Sequence, residues 1–244
     1  MDRERRFIND ASHELRTPLT LVTSRVQLML RRPRTVEQHE AALAEITEDL
    51  TRLTRMADDL LEQGTAGVST DGQPHDLATL ARKVVDARLT LAPSGTTYGT
   101  AGALSIEAVG PVPVAVDVVH LGRVLDNLLD NAALHGAPPV TVAVDEVDGW
   151  ARLTVADSGE GMPAELLTTA TERFARSAAA RNRPGSGLGL SLAATMVSAA
   201  GGQLRLCFAG NHHVEGVSAP VRCTHDARMT VTVLLPVART RPPD

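Results

Sequence analysis

The chain is 244 residues long, and at roughly 100–200 residues per domain it has room for one large domain or two modest ones. Its formal net charge of -5 leaves no basic footprint, which argues against nucleic acid as a direct partner. Hydrophobic residues reach 43% but aromatics only 2%, so a core has to be built from Leu, Val, Ile and Ala. The two cysteines, Cys207 and Cys223, are too few for a disulfide framework and fit a reducing cytosol. No apolar run approaches the roughly 18 residues of a spanning helix, and the charged start from Met1 to Arg6 has no signal-peptide core. A soluble, cytoplasmic chain is the expectation, with any membrane tether lying upstream.

Taken in chain order, the first element is a helical hairpin. Its first half carries an apolar stripe through Ile8, Ala11, Leu15, Leu19 or Pro18, Val22, Val26 and Met29. Its second half repeats the pattern at Leu43, Ile46, Leu50, Leu53, Ala57 and Leu60, spaced alternately by three and four, as in the seam of a bundle. Between them Arg31 to Thr35 reads as a turn, with Thr35 an N-cap and Gln38 completing a capping box. Two such helices cannot bury both stripes alone, which predicts a four-helix bundle made by two chains. Gly64 to Gln73 turns to Gly, Ser, Thr and Asp and marks a linker. Beyond it, helices are predicted near 76–91, 117–134 and 187–200. Strands are predicted at Val112–Val116, Val140–Val144, Trp150–Ala156, Gln203–Phe208 and Met229–Leu235. That order suggests an α+β chain: the hairpin, then an α/β sandwich whose mixed sheet is covered on one face by helices. The expected boundaries are 1–64 for the hairpin, 65–75 for the linker, 76–237 for the sandwich and 238–244 for a frayed tail.

Four constellations carry chemistry. His13 falls on the outer face of the first helix beside Glu14, with Thr17 and Pro18 a turn later. A neutral imidazole is a competent nucleophile, and an adjacent carboxylate can take its proton. By spacing alone, a solvated surface histidine is the plainer reading. Asn127 and Asn131, four apart on one helix, stack on one face where their amide oxygens suit a hard cation beside phosphates; a pair of surface amides is the plainer reading. A strand runs into Asp157, followed by Gly159 and Gly161, which suits a small ligand held by a carboxylate with backbone close by, or a simple turn. Gly185, Gly187 and Gly189 open a helix whose free N–H groups would favour an anion, though neither the dinucleotide fingerprint nor the P-loop spacing is present. The stretch before them holds Arg173, Arg176 and Arg183 and reads as a lid.

Together and in order, these stretches resemble the conserved boxes of HisKA-type sensor histidine kinases. Phe7 to Thr20 is similar to the H box, Asn127 to Ala132 to the N box, and Asp157 to Gly161 to the G1 box. Glu172 to Arg176 is similar to the F box, and Gly185 to Leu190 to the G2 box. The resemblance implies a dimerisation and phosphotransfer bundle followed by an ATP-binding domain of the Bergerat (GHKL) fold. It makes His13 the phosphoacceptor, Glu14 its acid–base partner and Thr17 a residue that positions water for dephosphorylating the partner. Asn131 would hold Mg²⁺, with Asn127 on the phosphate side. Asp157 would take the adenine amino group, and Gly159 and Gly161 would shape the base pocket. Gly185, Gly187 and Gly189 would serve the lid and the phosphates, with Arg176 and Arg183 as further lid residues. The implied cofactors are ATP and Mg²⁺, and the implied partners are a second copy of the chain and a response regulator receiver domain.

The sequence departs from the family pattern in three places. Leu134 stands where a phosphate-binding Lys or Arg is common, and His135 replaces the following aromatic while keeping the ability to stack on adenine. The stretch from Ala209 to Arg228 is longer than usual. It holds His212, His213, Cys223 and His225 at spacings that match no zinc pattern, so a surface hairpin extension is expected there. The alternatives to a kinase are a dimeric scaffold that binds a response regulator without useful autophosphorylation, and another GHKL ATPase or an anti-sigma-type serine kinase. The H box opposes the last two, and ATP turnover into His13 separates kinase from scaffold.

Overall fold

The computed structural model describes residues 16, 19–31, 35–65, 73–91, 97–173, 187–223 and 227–238, and the chain divides into two compact units, Met1–Thr65 and Ala66–Asp244. In the first unit, helix α1 covers residues 19–31 and helix α2 covers Val36–Thr65. The start of α2 is set by the expected capping box. The Gln38 N–H donates to the Thr35 hydroxyl at 3.3 Å, and the Thr35 N–H donates to the Gln38 side chain at 3.2 Å. Two N–H groups that the helix itself leaves unpaired are thereby satisfied. Arg25 joins the helices, 2.9 Å from Glu45 and 3.2 Å from Asp49, and Val22 and Ile46 are buried.

The second unit contains, in chain order, β1 (His75–Asp76), α3 (Leu77–Leu91), β2 (Leu104–Ala108), β3 (Pro113–Val114), α4 (Val118–His135), β4 (Val140–Val147) and β5 (Trp150–Asp157). The short α5 (Ala164–Leu167), α6 (Gly189–Ala199), β6 (Gln203–Phe208), β7 (Asn211–Gly216) and β8 (Met229–Pro236) complete it. Six strands form one mixed sheet in the order β2-β4-β5-β8-β6-β7, with only β2 and β4 parallel; β1 and β3 pair separately. Alternation along the strands does the sorting. Val140, Val142 and Val144, Leu153 and Val155, Leu204 and Leu206, and Val231 and Val233 share one face. They meet Leu121, Val124, Leu125 and Leu128 of α4 and Leu192 and Val197 of α6 in a single core, and α3 adds Ala81 and Val85. This is the α/β sandwich expected, with its helices on one face.

Local chemistry fixes the joints. Asp148 and Gly149, both at positive φ (50° and 78°), make the two-residue turn between β4 and β5, a geometry whose twist matches paired strands. Asp117 caps α4, its carboxylate accepting from the N–H of Val119 at 2.6 Å. Arg88 of α3 reaches Asp126 at 2.7 Å and Asp130 at 2.5 Å and so ties α3 to α4.

Several elements differ from expectation. Of Val112–Val116 only Pro113–Val114 is strand, because Pro113 has no N–H to give and Val112 N–H is taken by the Asp76 carboxylate at 2.8 Å. Asp76 is itself the cap of α3, accepting from Ala78 N–H at 3.1 Å, so the helix begins one residue later than predicted. β2 is an addition to the expected strands. The extension after β6 does form a hairpin, since β7 pairs back on β6. Beyond it, residues 217–223 run as a strap over the sheet face that the helices leave open. Ala219 and Val221 lie on Leu234 there, with Val147 and Trp150 beside them. Among the described residues no helix is long and apolar enough to cross a membrane.

Candidate nucleotide site

β5 ends on Asp157, a carboxylate only 6% exposed. Two glycines close on it. A Cβ at Gly136 would stand 2.4 Å from the Asp157 carboxylate, and one at Gly159 would stand 2.8 Å from the Gly136 Cα. Both positions have to be bare for the loop after α4 and the loop after β5 to meet. They are stitched further by Ser158, whose N–H donates to the Ala137 carbonyl at 2.9 Å and whose hydroxyl donates to the Pro139 carbonyl at 3.2 Å.

Burial pushes the Asp157 pKa up, and backbone N–H groups of Gly159 and Ala137 only partly oppose it. The Gly159 bond measures 2.9 Å. A buried carboxylate so incompletely compensated favours a further donor from a ligand.

The far side of this loop rests on the β6–β7 hairpin. Gly161 sits at φ +70°, and a Cβ there would fall 2.2 Å from the Phe208 ring at the end of β6. Thr171 Oγ1, beyond α5, lies 3.0 Å from His213 Nε2 and donates to Glu215 Oε1 at 3.2 Å, both on β7. One hairpin therefore supports both ends of the segment from Gly161 to Thr171.

Asn127 and Asn131 share a face of α4, both half-buried. A Cβ at Gly189 would lie 3.1 Å from Asn127 Oδ1, so this amide sits against the first residue of α6. No side chain caps α6, and Gly187 just before it is at φ +69°. Free N–H groups at a helix start attract an anion. Among the described residues neither asparagine amide has a side-chain hydrogen bond, which leaves two neutral oxygens of the kind a hard cation takes beside phosphate. The residues present therefore fit Mg²⁺ with a polyphosphate. His135 ends α4, exposed, and Leu134 beside it is also exposed.

Of the residues singled out in the sequence, Asn127, Asn131, Asp157, Gly159, Gly161, Gly187 and Gly189 are thus on elements of one unit, as is His135. His13, Glu14, Thr17, Arg176, Arg183 and Gly185 lie outside the described residues. Two further contributors carry no sequence signal of their role. Gly136 reads in sequence as an ordinary helix stop, and Phe208 as a strand end; only the approach of Asp157 and Gly161 gives them a part in the site.

Comparison with known proteins identifies the family of each unit. Residues 116–239 match the family of histidine kinase-, DNA gyrase B- and HSP90-like ATPases, and residues 3–67 match the His Kinase A (phospho-acceptor) domain. The signal transduction histidine-protein kinase/phosphatase MprB of Mycolicibacterium vanbaalenii is 33% identical over 223 residues, covering 84% of this chain and 43% of that protein. The probable sensor histidine kinase TcrY of Mycobacterium tuberculosis is 34% identical over 206 residues, covering 82% of this chain and 42% of that protein. The chain thus spans less than half the length of these relatives. The structure of the Acinetobacter baumannii histidine kinase AdeS has the same fold, with a TM-score of 0.65 at 20% identity over 93% of this chain and 98% of that one.

Proposed function

The chain belongs to the histidine kinases, with a phospho-acceptor domain joined to an ATPase domain, and on that premise we propose that it phosphorylates its own His13 from ATP and relays the phosphoryl group. The relay ends on an aspartate of a response regulator, and the same core acts as a phosphatase toward that regulator. The observation that carries the ATP half of the reading is the buried Asp157 carboxylate, closed in by Gly136 and Gly159 and short of hydrogen-bond donors.

In this reading Asp157 accepts a hydrogen bond from the adenine amino group, while Gly159 and Gly161 keep the base pocket open. His135 stacks on the base. The start of α6, with Gly185, Gly187 and Gly189, holds the phosphates through backbone N–H groups and the helix dipole, and Arg176 serves as a further phosphate-binding residue. Asn131, with Asn127 on the phosphate side, would hold Mg²⁺, which neutralises phosphate charge when bound. An imidazole nitrogen of His13 then attacks the γ-phosphorus as its bond to the ADP oxygen breaks, and Glu14 accepts the imidazole proton. Positioning and charge neutralisation do most of the catalysis. Thr17 orients the water that hydrolyses the aspartyl phosphate of the regulator, releasing inorganic phosphate. Residues 1–64 serve as the dimerisation and phosphotransfer domain and residues 76–237 as the ATP-binding domain, together the cytoplasmic core of a larger sensor.

The test is direct. The chain and its His13→Ala variant are incubated with Mg²⁺ and γ-labelled ATP, and acid-labile, base-stable label is followed. Label on the parent alone is expected. Nucleotide binding without label on either would leave a scaffold, and label on both would mean another phosphoacceptor.

A further inference from the structure

The strap of residues 217–223 is held to the open face of the sheet by a small set of polar anchors. Arg205 of β6, buried to 7% exposure, donates to the Val221 carbonyl at 2.6 Å and to the Ala219 carbonyl at 2.7 Å. The Gln203 side chain donates to the Val217 carbonyl. At the strap's far end the Cys223 and Cys207 sulfurs lie 2.8 Å apart. Both are free thiols; Cys207 is buried and Cys223 half-buried. Their separation exceeds the roughly 2.05 Å of a disulfide by less than an ångström. Among the described residues, no group of three or more His, Cys, Asp or Glu is arranged to hold a metal here.

We infer that Cys207 and Cys223 form a redox modification site, at which a hydroperoxide converts the two thiols into an intrachain disulfide that fastens the strap to β6. The roles come from access. Peroxide reaches Cys223 first, and its sulfur attacks the peroxide oxygen, giving a sulfenic acid and releasing the alcohol, or water from hydrogen peroxide. The Cys207 sulfur then attacks the Cys223 sulfur. The new S–S bond forms as the S–O bond breaks, and the departing hydroxide leaves as water with the Cys207 proton. The two thiols lose two hydrogens in all, and the peroxide is reduced. Burial and the neighbouring Cys223 sulfur push the Cys207 thiol up to about 12, so it does not start the reaction; its sulfur resolves the intermediate because it already lies 2.8 Å from that of Cys223. A dithiol of this kind in a reducing compartment is a reversible element rather than a permanent brace. The bond would also restrain the hairpin beside the nucleotide site, because the next residue, Phe208, carries the ring that lies against Gly161.

The experiment uses the full reduced chain, hydrogen peroxide and a chelator, with non-reducing intact mass and peptide mapping as the readout. A monomeric product lighter by two hydrogens is expected, with the peptides of Cys207 and Cys223 linked and the change reversed by dithiothreitol. With Cys207→Ala, Cys223 is expected to gain one oxygen that dimedone traps. With Cys223→Ser, no reaction is expected under the same conditions; circular dichroism checks that both variants fold. In the oxidised parent, amide exchange over residues 217–223 slows several-fold. Oxygen gain without hydrogen loss in the parent would overturn the proposal, and so would a link between two chains. Cys223→Ser reacting as fast as the parent, or strap exchange unchanged by the disulfide, would overturn it as well.

Discussion

Asp157 occupies a place that is unfavourable for a carboxylate, and the sign of its pKa shift sets how stability depends on pH. Burial raises the pKa in the folded chain above the ordinary value of about 4, against only partial opposition from the Gly159 and Ala137 N–H groups. The folded chain then holds the proton more tightly than the unfolded one. The stability linked to this group is present below the unfolded pKa and is lost as pH rises through the folded value. Asp157→Asn removes that loss together with the charge that a ligand donor would meet. Urea denaturation at neutral pH should find the variant at least as stable as the parent, with the difference shrinking as pH falls towards about 4. Nucleotide affinity, read by calorimetry, should weaken about 10- to 150-fold, the equivalent of a hydrogen bond to a charged group at about 1.5–3 kcal/mol. A variant that loses stability as well as affinity would make Asp157 a structural residue. At this scale the sequence is informative wherever chemistry and spacing coincide: the acid at a strand end before Gly159 and Gly161, or Asn127 and Asn131 one helical turn apart. Gly136 is not legible in the same way, because its φ of -93° is ordinary. It is bare because a carboxylate distant in sequence closes on it, and no local pattern encodes that.

The hairpin of β6 and β7 shows the same limit for whole elements. β7 reads Asn-His-His-Val-Glu-Gly and is exposed along almost its full length, so no alternation announces it as a strand. Its turn, Ala209-Gly210, places an alanine at φ 48°, where Asn or Asp would have signalled the geometry. β2 is hidden for another reason. Its five residues come after a Gly- and Thr-rich loop, and its partner β4 is reached only through a parallel crossover containing α4. The capping box at Thr35 and Gln38, in contrast, is readable because all its partners are local. The consequence of the hairpin is a coupling between Phe208 and the loop at Gly161. Gly161→Ala meets two obstacles, left-handed backbone at about 1–2 kcal/mol and the Phe208 ring at about 1–3 kcal/mol. Phe208→Ala takes away only the second. A double-mutant cycle by chemical denaturation should therefore show Gly161→Ala costing less in the Phe208→Ala background, with a coupling of about 1–3 kcal/mol. Additive costs would mean that the hairpin does not bear on the loop.

Among the described residues, those of the second unit close a core of their own, while those of the hairpin leave apolar side chains exposed. In the second unit the alternating strand residues and the faces of α3, α4 and α6 bury one another completely. In the hairpin, Val22 and Ile46 are buried, yet Leu19 and Val26 on α1 stay 57% and 40% exposed, and Leu43 and Leu50 on α2 stay 54% and 47% exposed. Each of those pairs is seven residues apart, the repeat of a seam that faces another helix. The bundle predicted from the sequence supplies such a partner as a second copy, and the exposure makes the idea testable without damage to the fold. Because Leu43 and Leu50 contribute little to the hairpin's own packing, Leu43→Glu with Leu50→Glu should leave the melting of the second unit unchanged. At a two-fold interface each substitution acts twice, and each buried Leu is worth about 1.5–3 kcal/mol, so dimer affinity should fall by more than about 100-fold. Sedimentation at concentrations where the parent is a dimer should then find the variant monomeric. A variant that still sediments as a dimer would put the interface elsewhere and leave the two heptad stripes to some other partner.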